Sequence, residues 1–443
     1  MRNRILLAIL LFNLGVSWGQ TRRDPRAVAL GGAYGTLARG IFAVDYNPAN
    51  LAIAHEYDSY RVWGGLNTSF STNFLSLKTY RKYNGKELDA NGGALKRDFI
   101  REIPASGWRV FSDLHVALPY LNFSNYNRAI SSDLIIIGDL GLPQGLVRFI
   151  FNGNPVNERL RLDFHEELIA LAQWGYSVGF PVGDIYMGIT AKYLAGIGYI
   201  GLNPDSSYGY LTTYFEPGRN YVEGKGRYYF QQALGGRGFA LDLGLVTPEI
   251  NGYRLGLSIT NIMGFISWHK NTLVSRLIDQ EKVLPWQGRF FKYEWAVNQA
   301  RFDKFFKKTR FNEIFPGEGQ SFRDTTGFTV RYPSLVRFSA SRQIEEGFLL
   351  ASDLVVGFED RLFSFGAWKW CLGFESTKNK RFPLRFGLSF GGNDHQELNF
   401  GSGVHWGFMH FDWAIGITQG IFLTTAKGID LSLGFYTTSR AKK

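Results

Sequence analysis

Through the second half of the chain, large apolar residues alternate with glycine, serine and single charges. In one stretch Phe239, Leu241, Leu243 and Leu245 occupy one parity, and Ala240, Asp242, Gly244 and Val246 the other. Strict alternation of this kind predicts a strand with two unlike faces. After Asn251 and Gly252, a pair suited to a tight hairpin turn, Tyr253, Leu255, Leu257 and Ile259 alternate with Arg254, Gly256, Ser258 and Thr260. The beat returns at 370–375, 384–390, 398–406, 411–416 and 429–435. A soluble sandwich strand also alternates, so the decision rests on the number of strands and on how their faces differ. Asp242, Arg254, Glu375, Arg385, Asp412 and Asp430 all fall on the small-residue parity. A charge aimed into mid-bilayer lipid costs about 2–4 kcal/mol. The pattern therefore predicts an all-β, transmembrane antiparallel barrel with a bulky face in lipid and a small, polar face lining the lumen.

Earlier in the chain the strands are less regular. Candidates lie at 61–80, 109–118, 121–137, 174–180, 185–193 and 208–214. Together with the later ones they give about 14 strands, an even number as single-chain bacterial barrels require. Two segments read as helical. Residues 143–151 carry Pro143 near their start, Leu146, Phe149 and Ile150 on one face, and Asn152-Gly153 as a stop. The insertion 267–327 places Phe291, Trp295, Phe302, Phe305 and Phe306 at helical spacing, with Arg301, Lys304, Lys307 and Lys308 on a more polar side. It is expected to form a long extracellular loop with a helical segment. Folded inward it caps the lumen; turned outward it offers a surface to ligand, lipopolysaccharide or a partner protein.

The first residues supply a compartment. Arg2 and Arg4 precede an apolar run over 5–16, and Ser17-Trp18-Gly19 puts small residues where a signal peptidase reads. This predicts a secretory signal peptide over 1–19, a mature start near Gln20 and delivery to the bacterial outer membrane. No later run of 18 apolar residues exists to cross as a helix. Mean hydropathy of −0.12 also argues against a helical membrane protein. The single cysteine, Cys371, excludes an internal disulfide framework and falls on the inward parity. Net charge is +11, or +9 once Arg2 and Arg4 leave. On a secreted chain that charge meets anionic lipid and lipopolysaccharide rather than nucleic acid.

Residues 24–55 lack the beat. The stretch from Arg26 through Gly31, Gly32, Tyr34, Gly35 and Arg39 to Gly40 is rich in small side chains that allow close packing. It leads to Asp45, Tyr46, Asn47, Pro48, Ala49, Asn50 and Leu51, where Asn47 suits a helix cap with Pro48 at the first position. An arginine followed by Gly-Gly-Ala and then Ala-Val-x-Tyr-Asn-Pro-Ala-x-Leu resembles the N-terminal hatch of the FadL-like outer-membrane barrels, a superfamily that includes the PorV-type proteins of the type IX secretion system. The resemblance extends over 238–245, 254–261, 383–392 and 400–401. It implies a hatch over 20–56, held by Arg26, Gly31, Gly32, Asn47 and Pro48, inside a barrel formed by 57–443. It also implies passage of hydrophobic small molecules. The PorV-like members imply the alternative, a scaffold that docks secreted proteins or partner subunits.

Enzymatic chemistry finds little support. Ser177 and Ser389 each sit in a Gly-x-Ser-x-Gly match, but inside alternating strands rather than at the strand-to-helix turn a nucleophile needs. Gly196, Gly198 and Gly201 match a dinucleotide fingerprint without a following helix and read as a loop. The seven histidines show no metal-ligand spacing. No metal, cofactor or catalytic residue is expected. His405 and His410 share the inward parity with Asp412 close by, which predicts a polar contact to the hatch.

Overall fold

The computed structural model describes residues 24–440 except 55, 154, 270–272, 287, 306–310, 323–326, 363 and 393–395. The expected signal peptide and mature start, with Phe306, Lys307 and Lys308, lie outside the described residues. The wall consists of β1 (Ser59–Thr72), β2 (Trp108–Ala117), β3 (Arg128–Leu142), β4 (His165–Val182), β5 (Ile185–Leu202), β6 (Arg219–Val246) and β7 (Tyr253–Trp268). It continues through β8 (Leu335–Glu345), β9 (Phe348–Gly357), β10 (Trp368–Ser376), β11 (Leu384–Gly391), β12 (Gln396–Trp406), β13 (Met409–Thr418) and β14 (Gly428–Ser439). Each pairs antiparallel with the next, and β14 pairs with β1 from Ser59↔Ser439 to Ser71↔Gly428. The ring is a closed antiparallel barrel of 14 strands. Its outward side chains, among them Leu384, Phe386, Phe400, Leu431 and Leu433, stay exposed as a lipid-facing wall needs. Connections 183–184, 346–347 and 407–408 lie at one rim and 73–107, 143–164 and 269–334 at the other. The short-turn rim is the periplasmic one in this architecture.

Several sequence expectations change. Residues 77–80 belong to a helix, Leu77–Tyr83, started by the Ser76 side chain accepting from the Thr79 N–H. What read as one strand at 121–137 is a short strand, Phe123–Asn125, that turns at Tyr126 into β3. Residues 208–214 do not join the ring; Tyr208–Glu216 pairs with the outer part of β6. β8 and β9 take their place in the count. Gly196, Gly198 and Gly201 lie within β5 rather than in a loop. A Cβ at Gly196 would sit 2.6 Å from the Trp268 ring, so the glycine makes room for that indole.

The largest correction concerns 267–327. Phe290–Arg301 is a strand paired with β6 from Phe290↔Gln231 to Arg301↔Tyr221, and Gly317–Phe322 pairs on its other side. Of the aromatics whose spacing suggested a helix, Phe291 and Trp295 lie on this strand, where Trp295 and Val297 are buried on one face and Phe290 on the other. β6 has 28 residues, roughly 90 Å of chain at the usual rise, far more than a bilayer requires. Its outer part supports a small extramembrane core of Leu211, Val222, Tyr228, Trp295, Phe305 and Phe315. Trp295 and Phe305 are thus interior residues of that cap, not its surface; Lys304 is exposed. Phe302 begins the one-turn helix Phe302–Phe305.

Residues 24–53 lie inside the periplasmic half of the barrel. The inward glycines of the wall are where this segment comes closest: a Cβ at Gly387 would lie 2.1 Å from the Gly31 nitrogen, and one at Gly188 would lie 2.2 Å from the Pro48 carbonyl carbon. Neither site has room for any other residue. Polar contacts then fix the segment's rotation. Lys192 of β5, with no exposed side-chain surface, is ion-paired to Asp45 of the segment and, at 2.8 Å, to Asp242 of β6. It also donates to Asn261 Oδ1 at 2.8 Å, and Gln173 Nε2 donates to both Asp45 oxygens. On the opposite side Asp353 accepts from the N–H groups of Tyr34 and Gly35 and pairs with Arg337, whose Nη1 also donates to the Gly32 carbonyl.

Lys192→Met should leave Asp45 and Asp242 buried without their cation, a change that costs about 3–5 kcal/mol. The wall's own ladders are untouched, so the folded barrel's mobility shift on unboiled gels is expected to persist while amides of 24–53 lose protection from hydrogen exchange. Gly387→Val should do the same through contact alone. Unchanged protection in both variants would mean that neither feature holds the segment.

Candidate functional site

Between the inserted segment and the wall, at the periplasmic rim, lies a cavity of about 500 Å³. Three parts of the chain build it. The segment contributes Asp24, Pro25, Arg26, Tyr34, Arg39 and Phe42; the link into β1 contributes Glu56 and Tyr57; the wall contributes Tyr60, Glu375, Arg385, His405, His410, Asp412 and Tyr436. Local structure sets these side chains. Asp24 caps the helix Pro25–Ala29 by accepting from the Ala27 N–H, which turns Arg26 toward β10. Arg26 Nη2 meets Glu375 Oε2 at 2.5 Å and its Nε meets Oε1 at 3.0 Å. Arg385 continues the chain of charge, 2.7 Å from Glu375 Oε1 and 2.7 Å from Asp412 Oδ1. Asp412 also accepts from the Tyr436 hydroxyl at 3.0 Å and lies 3.1 Å from His405 Nε2. Glu375, Arg385 and Asp412 are buried, and each carboxylate has at least two partners, as a low-dielectric interior demands.

The structure gathers Arg26, Glu375, Arg385, His405, His410 and Asp412 into this one cavity. His405 and His410 do not reach the inserted segment through their polar atoms. His405 faces Asp412, while His410 Nε2 lies 3.0 Å from Thr438 Oγ1 and its ring stacks on Tyr436. The expected contact to the hatch is thus a set of wall-to-wall bonds, because adjacent strands β12, β13 and β14 place these residues side by side. Asp242 lies elsewhere, with Lys192. Arg254 pairs loosely with Glu249 at 3.7 Å. Asn47 accepts from the Ala49 N–H to start Pro48–Ala52 and donates to the Leu245 carbonyl. Gly31 packs on the backbone of Leu388, and Gly32 supplies its carbonyl to Arg337. Ser177 shares a hydrogen bond with Thr190, and Ser389 lies buried within β11. Cys371 is buried facing inward.

Sequence reasoning did not single out Arg39, Phe42, Tyr57, Tyr60 or Tyr436. Their aromatic character was visible, but their convergence depends on ring closure, which brings β14 beside β1 across 376 positions between Tyr60 and Tyr436. Lys192, Asp45, Arg337 and Asp353 went unmarked for a similar reason: each reads as an isolated charge until its partner strand is known.

At the same place the wall is interrupted. The ladder from β1 to β2 begins at Gly65, and the ladder to Phe123–Asn125 ends at Arg61. The pairing with β14 also shifts register between Val62 and Gly64. Gly65, Leu66, Leu433 and Phe435 line the cavity here, and the last three are lipid-facing side chains with 39–45% of their surface exposed. Above the inserted segment, on the side of β4 to β9, apolar side chains reach into the lumen. Ile169, Leu171, Leu194, Tyr199, Trp268, Phe328 and Val355 form one continuous apolar core with Leu30, Leu37 and Ile41 of the segment.

No curated protein matches the sequence. Among solved structures, the toluene transporter TbuX of Ralstonia pickettii aligns over 97% of this chain and 100% of its own, at 14% identity and a TM-score of 0.49. The toluene transporter TodX of P. putida aligns over 95% and 99% at 11% identity, also with a TM-score of 0.49. A FadL homologue from Pseudomonas aeruginosa aligns over 95% and 99% at 12% identity and a TM-score of 0.46. At these values the likenesses assign no ligand or mechanism to this chain. In sequence, the family described as a family of unknown function, DUF5723, matches residues 52–417, nearly all of the wall, and the chain belongs to that family.

Proposed function

We propose that this protein is an outer-membrane conduit for hydrophobic small molecules, with residues 24–53 as the hatch that closes it. The observation that carries this reading is the cavity beside the segment, which meets lipid-facing Leu66, Leu433 and Phe435 where the β1 ladders break. A water-filled pore would suit polar solutes. Here buried charges such as Lys369 and Glu397 line the side of β10 to β14. On the side of β4 to β9 the outer half of the lumen holds a packed apolar cluster, into which a hydrophobic solute partitions by displacing side-chain contacts rather than water. Beneath it, the polar cavity and the break in the wall give such a solute two exits, to the periplasm or sideways into lipid. The segment closes the route because its backbone rests directly on the wall glycines. Opening requires it to shift, and the charges that hold it are matched pairs able to re-form.

Reconstituted into liposomes, the protein is expected to accelerate entry of a labelled hydrophobic solute such as naphthalene. Gly65→Phe places a ring in the cavity beside Ala117, whose Cβ lies 3.1 Å from where a Cβ at Gly65 would stand. It should cut that entry several-fold while preserving the folded gel shift. Equal rates for protein-free and wild-type vesicles would reject the conduit. In the same vesicles, deletion of 21–50 should admit small hydrophilic solutes that the full chain excludes. Continued exclusion would show that the segment does not close the lumen.

A further inference from the structure

The periplasmic cavity is lined by the cations Arg26, Arg39, Lys380, Arg381 and Arg385 and by the carboxylates Asp24, Glu56, Glu375 and Asp412, and Glu56 is ion-paired outside this set, to Arg440. Arg26 and Arg385 are matched by Glu375 and Asp412. Arg39 is not. Its Nη1 donates to the carbonyls of Thr36 and Ala38 at 3.1 and 3.0 Å, and it has no carboxylate partner among the described residues. Burial, then the neighbouring charges of Arg254 and Arg26, push its pKa down to about 9. The residue is only half-buried where it lines the cavity, and the group is still cationic at neutral pH. At the cavity mouth, Lys380 and Arg381 lie exposed on the turn between β10 and β11, and they too form no ion pair with a described residue.

The cavity wall around Arg39 is aromatic. Phe42, Tyr60, Tyr57, His410 and Tyr436 touch in a closed circuit, with centroid separations of 6.3, 6.1, 5.8, 4.9 and 4.9 Å around the ring. Such surfaces favour a flat partner, which gains offset or edge contacts with several rings at once. The volume, about 500 Å³, suits a small organic molecule. A neutral hydrocarbon would leave Arg39 uncompensated, and inorganic phosphate would leave the rings without a partner. We infer that this cavity binds a small aromatic acid, with its acid group on Arg39 and its ring against Phe42, Tyr57 and Tyr60. Lys380 and Arg381 attract the anion to the mouth, an effect that salt screens. Binding of this kind needs no passage through the barrel, so it stands apart from the conduit reading.

The test is calorimetric titration of the purified full chain in non-ionic detergent with 1-naphthoate, with 1-methylnaphthalene and decanoate as comparisons. Saturable binding of 1-naphthoate to one site is expected, with the neutral analogue and the aliphatic acid each weaker by about tenfold or more. Arg39→Gln should weaken 1-naphthoate by about tenfold or more, as loss of a charge-assisted hydrogen bond does. Phe42→Ala should weaken it as well. The double variant Lys380→Gln with Arg381→Gln should mainly flatten the salt dependence. Retention of the folded gel shift qualifies each variant, and Phe42→Ala decides the matter if Arg39→Gln does not fold. Absence of saturable binding, wild-type affinity in a folded Arg39→Gln or Phe42→Ala protein, or decanoate binding as tightly as 1-naphthoate would overturn the inference. Loss of naphthalene entry with 1-naphthoate binding intact would count only against the conduit.

Discussion

Hydrocarbon offers a backbone N–H or C=O no water, so every such group at membrane depth must find its partner within the protein. Ring closure between β1 and β14 satisfies that demand, and the other features of the fold follow from it. A closed ring gives every strand one face in lipid and one in a confined interior, which is why the alternation of bulky and small residues is so regular from 370 onward. Closure also converts sequence distance into proximity. Tyr60 and Tyr436, near opposite ends of the chain, become stacked neighbours 6.5 Å apart.

The interior then has to be filled, and two kinds of chemistry fill it. On the side of β4 to β9, apolar side chains pack as in a soluble core. Elsewhere on the wall, and around the inserted segment, buried ion pairs such as Lys369 with Glu397 and Lys192 with Asp242 fill the space. A lone Lys192 would be costly there, but it has two carboxylates and an amide oxygen as partners. Such clusters add little net stability compared with apolar packing, and their value is in specificity: they are satisfied in one placement of the segment and leave buried charges exposed to one another in any other. Asp353 works similarly, since its carboxylate accepts backbone N–H groups that the segment cannot pair within itself.

The wall was largely legible from sequence because a two-residue period survives any register. Parity alone placed Asp242, Glu375, Arg385 and Asp412 indoors, where the structure finds them buried. The aromatic run 290–306 was misread because helical and alternating periodicities overlap when most residues in a window are large. Trp295 and Val297, two apart, were the signal for a strand. β8 and β9 were not singled out in the sequence, and their inward Arg337 and Asp353 pair across the two strands. The cavity was illegible for a deeper reason. Its rings come from the segment, the link to β1 and the last strand, and no local pattern records that these meet.

The break at Val62–Gly64 shows how the pairing rule is met where the ladder stops. The Val62 N–H is taken by the Asn122 carbonyl, and the buried Asn122 side chain donates to the Leu118 and Ser132 carbonyls and accepts from the Ser132 N–H. The Trp63 indole N–H reaches Thr437 Oγ1 at 2.9 Å. One asparagine thus substitutes for rungs that β2 and β3 do not provide. The site is near the periplasmic rim, where interfacial water lowers the cost of an unpaired group. Parting the wall elsewhere would break a continuous run of rungs. Here the β1 ladders leave a gap bridged by the Val62-to-Asn122 backbone bond and by side chains, and the cavity lies directly behind it.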